Sequence, residues 1–217
     1  MAETVWTTET TETTETTGLH ETPTISRDIP LNSEWNIYNH IKCDQNDYIK
    51  CTNLIGTCST VFEFWTCYNE LPKPSEFFYQ KETGKPYYYT GAPCGTEGPV
   101  KREISSVSCF RKNVSPVWED PLNKPGGELE LRLKNDTSID FLDKSWLHLC
   151  VNCMSENLSE KVTGFRFVDS SIVPNQKPLY RVEIWLSDNS VSNIIEEKFR
   201  KLLSLDTSDK IIYKKHS

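Results

Sequence analysis

The chain has 217 residues, enough for one sizeable domain with its own core, and carries 24 Lys and Arg against 31 Asp and Glu, a net charge of −7. That balance excludes a protein that coats nucleic acid, because non-specific attachment to a phosphate backbone needs a summed positive field, so any nucleotide must be gripped locally. Eight cysteines without a basic and apolar leader point to a reduced, intracellular chain, and no apolar run approaches the ~20 residues that span a bilayer.

Residues 1–28 read as a disordered acidic tail. The repeat TTETTETTETTG has almost nothing to bury, and five acids with no base before residue 25 leave 26 acidic against 24 basic side chains for the remainder. From residue 29 to 217 the chain reads as one domain. Trp35, Ile37, Asn39 and Ile41 alternate with Asn36, Tyr38 and His40, the period of a half-buried strand, and Tyr48 to Ile55 offers a second. Thr60 and Glu63 form a capping box ahead of Val61, Phe64, Trp65, Tyr68 and Leu71 at helical spacing, and Pro72 with Pro74 ends that helix. An irregular insertion follows at about 77–105, rich in Gly, Pro and Tyr, with a hairpin around Thr83 to Lys85.

Beyond the insertion, Glu128 to Leu133 is strand-like, and a second helix carries Ile139, Leu142, Trp146, Leu149, Cys150 and Cys153 on one stripe. Lys161 to Val168 and Leu179 to Leu186 read as strands, a third helix bears Ile195, Phe199, Leu202 and Leu203, and Lys210 to Tyr213 is the last strand. Seven or eight strands joined mostly by short turns, with three longer helices, fit an α+β fold: an antiparallel sheet backed by helices on one face and open to a ligand on the other.

The open face can be read from Leu179 to Leu186. Val182, Ile184 and Leu186 share the face that belongs against the helices, so Arg181, Glu183 and Trp185 share the open one. The segment SPVWEDPLNKPGG, Ser115 to Gly127, sets Trp118, Glu119 and Asp120 between prolines, a poor place for core packing and a good one for a presented ring. With Tyr48 these residues suit a flat polar ligand with an anionic tail, such as a purine nucleotide. Trp35 and Trp146 are read as core. Cys150 and Cys153 lie on an apolar stripe with no second pair at zinc spacing, which favours packing. No nucleophile stands at a recognisable spacing from a histidine, so no enzyme, cofactor or metal is expected.

The ordered blocks WNIY, STVFEFWTCYNEL, PVWEDPLNKPGG, SWLHLC and VEIW, spread from about Pro30 to Ser217, resemble the cap-binding translation initiation factor 4E family. Trp-Glu-Asp followed by Asn-Lys-x-Gly-Gly is the most specific of them. The resemblance implies a curved sheet with the helices on its convex face and, on the concave side, a slot for the 7-methylguanosine cap of mRNA. Tyr48 and Trp118 would sandwich the cationic base, gaining stacking and a cation–π term. Glu119 would accept hydrogen bonds from the base edge, Trp185 would lie against the methyl group, and Arg181 would hold phosphates, with Lys177 or Arg166 as weaker substitutes. Tyr48 stands where most of the family has Trp, and Glu128 where it has Arg.

Pro30, Val61, Trp65, Leu147 and Val151 resemble the family's convex patch for an amphipathic helix bearing Tyr-x-x-x-x-Leu-apolar, supplied by an initiation factor 4G-like scaffold or a 4E-binding protein. The implied function is cap binding in translation initiation, in the cytoplasm and, as a second compartment, the nucleus. Two readings compete with it. One is a cap-occupying repressor or specialised isoform; the other is a metal-dependent nucleotide-processing enzyme in which Glu119 and Asp120 hold the ion.

Overall fold

The computed structural model describes residues 29–41, 48–78, 104–133, 137–170 and 179–216. The Thr/Glu tail, the hairpin expected at 83–85 and Lys177 lie outside them. Among the described residues seven strands pair into one antiparallel sheet: β1 Pro30–Ile41, β2 Thr52–Thr60, β3 Ile104–Arg111, β4 Gly127–Arg132, β5 Val162–Asp169, β6 Tyr180–Leu186 and β7 Ile211–Lys215. Their order across the sheet is β2-β1-β3-β5-β6-β4-β7.

Strand alternation decides which face is covered. Trp35 and Ile37 of β1, Leu129 and Leu131 of β4, Phe165 and Phe167 of β5, and Val182, Ile184 and Leu186 of β6 join a single core cluster. The same cluster takes Phe64 of α1 (Val61–Glu70), Leu142, Trp146 and Leu149 of α3 (Ile139–Met154), and Ile195 and Phe199 of α4 (Ser192–Leu202). The helices therefore cover one face of the curved sheet. The other face carries Glu128, Glu130, Arg166 and Glu183, all buried, and a second small cluster of Phe110, Val114 and Trp185.

Capping fixes where the helices begin. The Thr60 hydroxyl accepts the Glu63 N–H at 3.1 Å and the Glu63 carboxylate accepts the Thr60 N–H at 3.2 Å, the capping box read from the sequence. At α3 the Ser138 hydroxyl accepts the Phe141 N–H at 3.2 Å.

Three elements differ from the sequence reading. Strand β2 does not begin at Tyr48. The Tyr48 carbonyl accepts the Cys51 N–H at 3.2 Å and the Thr52 hydroxyl at 3.0 Å, which closes a 3-10 turn at Ile49–Cys51. The strand follows from Thr52 and runs on to Thr60. Strand β3 was unforeseen because three serines among its eight residues, ISSVSCFR, dilute the β-branched signal. The short helix α2, Pro74–Phe78, is held from outside: Asp143 of α3 accepts the Ser75 N–H at 2.9 Å and the Ser75 hydroxyl at 2.6 Å. The insertion expected at about 77–105 is thus bounded by Phe78 and Ile104.

Close approach explains one glycine of the pair that ends the Ser115 segment. A Cβ at Gly126 would overlap the carbonyl of Leu186, so only Gly lets the chain enter β4 against β6. Cys58, Cys67, Cys109, Cys150 and Cys153 are free thiols, and Cys150 and Cys153 are buried as expected. Cys51 is disulfide-bonded, against the expectation of a wholly reduced chain. Among the described residues no helix is long and apolar enough to cross a membrane.

Candidate functional site

The connection from β3 to β4 builds the site's most exposed ring. Prolines at 116, 121 and 125 deny it regular structure, so its backbone groups need side-chain partners. Asp120 accepts the N–H groups of Ser115 at 2.8 Å and Leu122 at 2.9 Å. Asn123, fully buried, donates to the carbonyls of Ser115 at 3.0 Å and Val117 at 2.9 Å. The loop is braced from within and Trp118 is left 52% exposed. Behind Trp118 lies the His216 ring, 6.3 Å away and 21° from parallel. His216 is itself fixed against Trp185, ring to ring at 4.7 Å, and its Nδ1 donates to the Asn123 carbonyl at 2.9 Å.

Tyr48 is supported in the same manner on the other side. Its ring stacks on His40 at 4.1 Å and 26°, and its hydroxyl accepts Arg166 Nη1 at 2.9 Å. The His40 Nδ1 is 3.0 Å from the Thr52 hydroxyl. Burial first, and then the Arg166 charge, push the His40 pKa from 6.5 down to about 4, so the imidazole behind Tyr48 is a neutral aromatic support.

That shift carries a sign that can be tested. The unfolded chain takes up the His40 proton first, so stability is unaffected by this group above about pH 6.5, falls as the pH drops toward about 4, and changes no further once both states are protonated. His40→Phe keeps a ring behind Tyr48 and removes the titration. Its melting temperature should decline less than that of the native chain between those limits; parallel declines would contradict the assignment.

Arg166 and Trp185 form the floor. Arg166 is 8% exposed, its Nε donates to Glu183, and its guanidinium lies 4.8 Å over the Trp185 ring. The Trp185 indole N–H donates to the same carboxylate at 3.1 Å, and Phe110 meets the indole edge-on at 5.2 Å and 87°. Gly164, opposite both Phe110 and Trp185 in the ladder, makes this possible, since a Cβ there would overlap the Phe110 ring. Burial pushes the Glu183 pKa up, but Arg166 and Arg181 outweigh it and hold the carboxyl below its usual range.

Tyr48, Trp118, Glu119, Arg166 and Trp185, with Pro116 and Val117, line one cavity of about 370 Å³. Trp185 faces the open side of the sheet as expected, yet it is 1% exposed because Phe110, Arg166 and His216 enclose it. Arg166, read as a substitute phosphate ligand, lies on the floor. Arg181 does not line this cavity; its side chain pairs with Glu183 at 2.6 Å and Glu130 at 3.9 Å. Both Asp120 oxygens accept N–H groups of the loop, and Asp120 does not line the cavity beside Glu119. His40, Asn123 and His216 were missed as site residues, and Glu183 was placed on the open face without a role of its own. Asn123 was findable as a brace inside a proline-bounded loop, whereas the two histidines are neighbours only through space.

On the helical face, Trp65 stays 42% exposed although its ring packs on Phe64 at 4.9 Å and edge-on to Tyr68 at 5.7 Å. Val151 is 38% exposed and Leu147 half-buried. The Val61 N–H donates to the Ile29 carbonyl at 2.9 Å, which ties the start of α1 beside the exposed Pro30.

An antiparallel sheet backed by helices on one side, with two supported rings lining a cavity on the other, defines an α+β protein with an aromatic slot on its concave face. The chain belongs to the eukaryotic initiation factor 4E family, whose model matches residues 30–217. Translation initiation factor 4E of Candida albicans is 24% identical over 193 residues, 86% of this chain and 79% of its own length. That of Eremothecium gossypii is 25% identical over 194 residues, 87% and 77% respectively. The fold matches initiation factor 4E-3 of Ascaris suum, solved with an m2,2,7G cap, at a TM-score of 0.66 and 19% identity, over 87% of this chain and 92% of that one. A schistosome factor 4E solved with m7GpppG and a 4E-binding protein matches at 0.62 and 19%, over 86% and 87%.

Proposed function

We propose that the chain binds the 7-methylguanosine cap of mRNA between Tyr48 and Trp118 and serves translation initiation through a scaffold partner, as a cytoplasmic binding protein and not an enzyme. The observation that carries this reading is the pair of rings on one cavity, each with a histidine ring behind it. Solved relatives that carry cap analogues support it.

The chemistry follows from charge. Methylation at N7 spreads a positive charge over guanine, and two electron-rich rings gain about 0.5–2 kcal/mol each from it beyond area burial. Glu119, exposed beside Trp118, accepts from the N1–H and the N2 amino group. Arg181, 30% exposed at its side chain, meets the phosphates. Tryptophan fluorescence titrated with 7-methyl-GTP and with GTP tests the slot: the methylated ligand should bind at least about tenfold tighter, and equal quenching would refute it. Repeating the titration with magnesium and assaying for product tests the enzyme reading, which turnover would favour.

The partner patch of Pro30, Val61, Trp65, Leu147 and Val151 is proposed to take the apolar face of a Tyr-x-x-x-x-Leu helix. Trp65→Ala should abolish pull-down of such a peptide while cap-resin retention persists. Loss of both would assign Trp65 to packing alone.

A further inference from the structure

Beneath the slot, the concave face holds more buried acid than a phosphate-binding surface would need. One carboxylate oxygen each from Glu128, Glu130 and Glu183 lies within 4.8 Å of the others, and the three residues are 4%, 0% and 0% exposed. Strand register assembles them: Glu183 of β6 stands opposite Arg166 of β5 and Glu130 of β4, while Glu128 stands opposite Lys214 of β7.

Four Arg and Lys side chains pair with these three acids, and the His216 imidazole lies 3.7 Å from Glu128. Arg166 binds Glu183, Arg181 binds Glu183 at 2.6 Å, Arg132 binds Glu130 at 2.7 Å, and Lys214 reaches both Glu130 and, at 3.5 Å, Glu128. A divalent ion would have to displace them, so the cluster is a charge-balancing layer and no metal cage. Burial raises the Glu130 pKa, but hydrogen bonds from Lys214 and Arg132 outweigh it, and Glu183 is likewise held ionised. Among the described residues, leaving the His216 imidazole aside, the local balance is four Arg and Lys charges against three carboxylates.

That balance sets what a phosphate chain can gain. Arg132, Arg181 and Lys214 are reachable, with side chains 56%, 30% and 42% exposed. A phosphate approaching any of them shares it with a carboxylate that keeps its own claim, and feels a net field near one unit charge instead of four. The rings and Glu119 feel no such competition.

We propose that Glu128 and Glu130 are specificity-determining residues that make the slot a reader of the methylated base with little regard for phosphate number, so that its ligands are 7-methylguanine nucleotides from mono- to triphosphate. This rests on the reading of the slot as a 7-methylguanine site. The test titrates the full chain with 7-methylguanosine and its mono-, di- and triphosphates, and with GTP, at two salt concentrations. From nucleoside to triphosphate, affinity should rise by no more than about tenfold, with a salt slope near one released counterion. Glu130→Gln should raise the triphosphate-to-nucleoside affinity ratio by about tenfold, and Glu128→Gln provides the same readout if the first variant does not fold. A methyl-selective ladder that climbs a hundredfold or more, or variants that leave the ratio unchanged, would overturn this proposal alone. Failure to prefer methylated ligands over GTP would overturn the slot reading and the proposal with it.

Discussion

Trp118→Ala is expected to weaken 7-methyl-GTP binding by about a hundredfold, from roughly 1–3 kcal/mol of lost base stacking and up to about 2 kcal/mol of lost cation–π attraction. The melting temperature should stay at the native value, for a reason visible in the loop. Trp118 is half exposed, and the conformation of its segment depends on Asp120 and Asn123, which bond the loop's own N–H and carbonyl groups. Removing the indole removes a surface of the slot without removing a brace. Calorimetric titration gives the affinity and a thermal melt gives the control. Native affinity in a folded variant would sink the stacking role of Trp118. A lowered melting temperature would instead say that its contact with His216 carries stability. Tyr48→Ala makes a less clean probe, because the Tyr48 hydroxyl also accepts Arg166.

The parts of this molecule that were legible in the sequence are those whose signal is periodic or local. The helix from Val61 was legible through Thr60 and Glu63, which touch across one turn, and the face of β6 through a two-residue alternation that the sheet obeys. Strand β3 was hidden, since three serines among its eight residues dilute the β-branched signal and the strand gains its β character from neighbours on both sides. The histidines behind the two rings were hidden for a stronger reason. His40 on β1 meets Tyr48 ahead of β2, outside regular pairing, and His216 meets Trp118 from the far end of the chain. The floor was half legible: Trp185 was expected on the open face, but its burial depends on Phe110 crossing Gly164, and the glycine alone does not announce which ring will lie over it.

Glu183→Ala is expected to be the most destabilising single change at the site, by about 3–5 kcal/mol, because it strands a buried charge. Glu183 is fully buried and bonds Arg166, Arg181 and the Trp185 indole. Of these, Arg181 can turn to solvent or to Glu130, but Arg166 is 8% exposed and among the described residues keeps as its hydrogen-bond partner the Tyr48 hydroxyl. Chemical denaturation of the variant should show the loss as a lowered midpoint at unchanged slope. The pair Arg166→Met with Glu183→Leu removes both charges and should restore most of the stability, since a buried ion pair costs desolvation that apolar side chains do not. Function should not return with it. Tyr48 loses its anchor when Arg166 is gone, and the indole N–H of Trp185 is left without an acceptor. A double variant that is stable yet binds 7-methyl-GTP less tightly than the native chain would show that the ion pair under the slot is kept for geometry. A double variant no more stable than Glu183→Ala would show that the pair contributes to the fold directly, and would overturn the cost assigned to its burial.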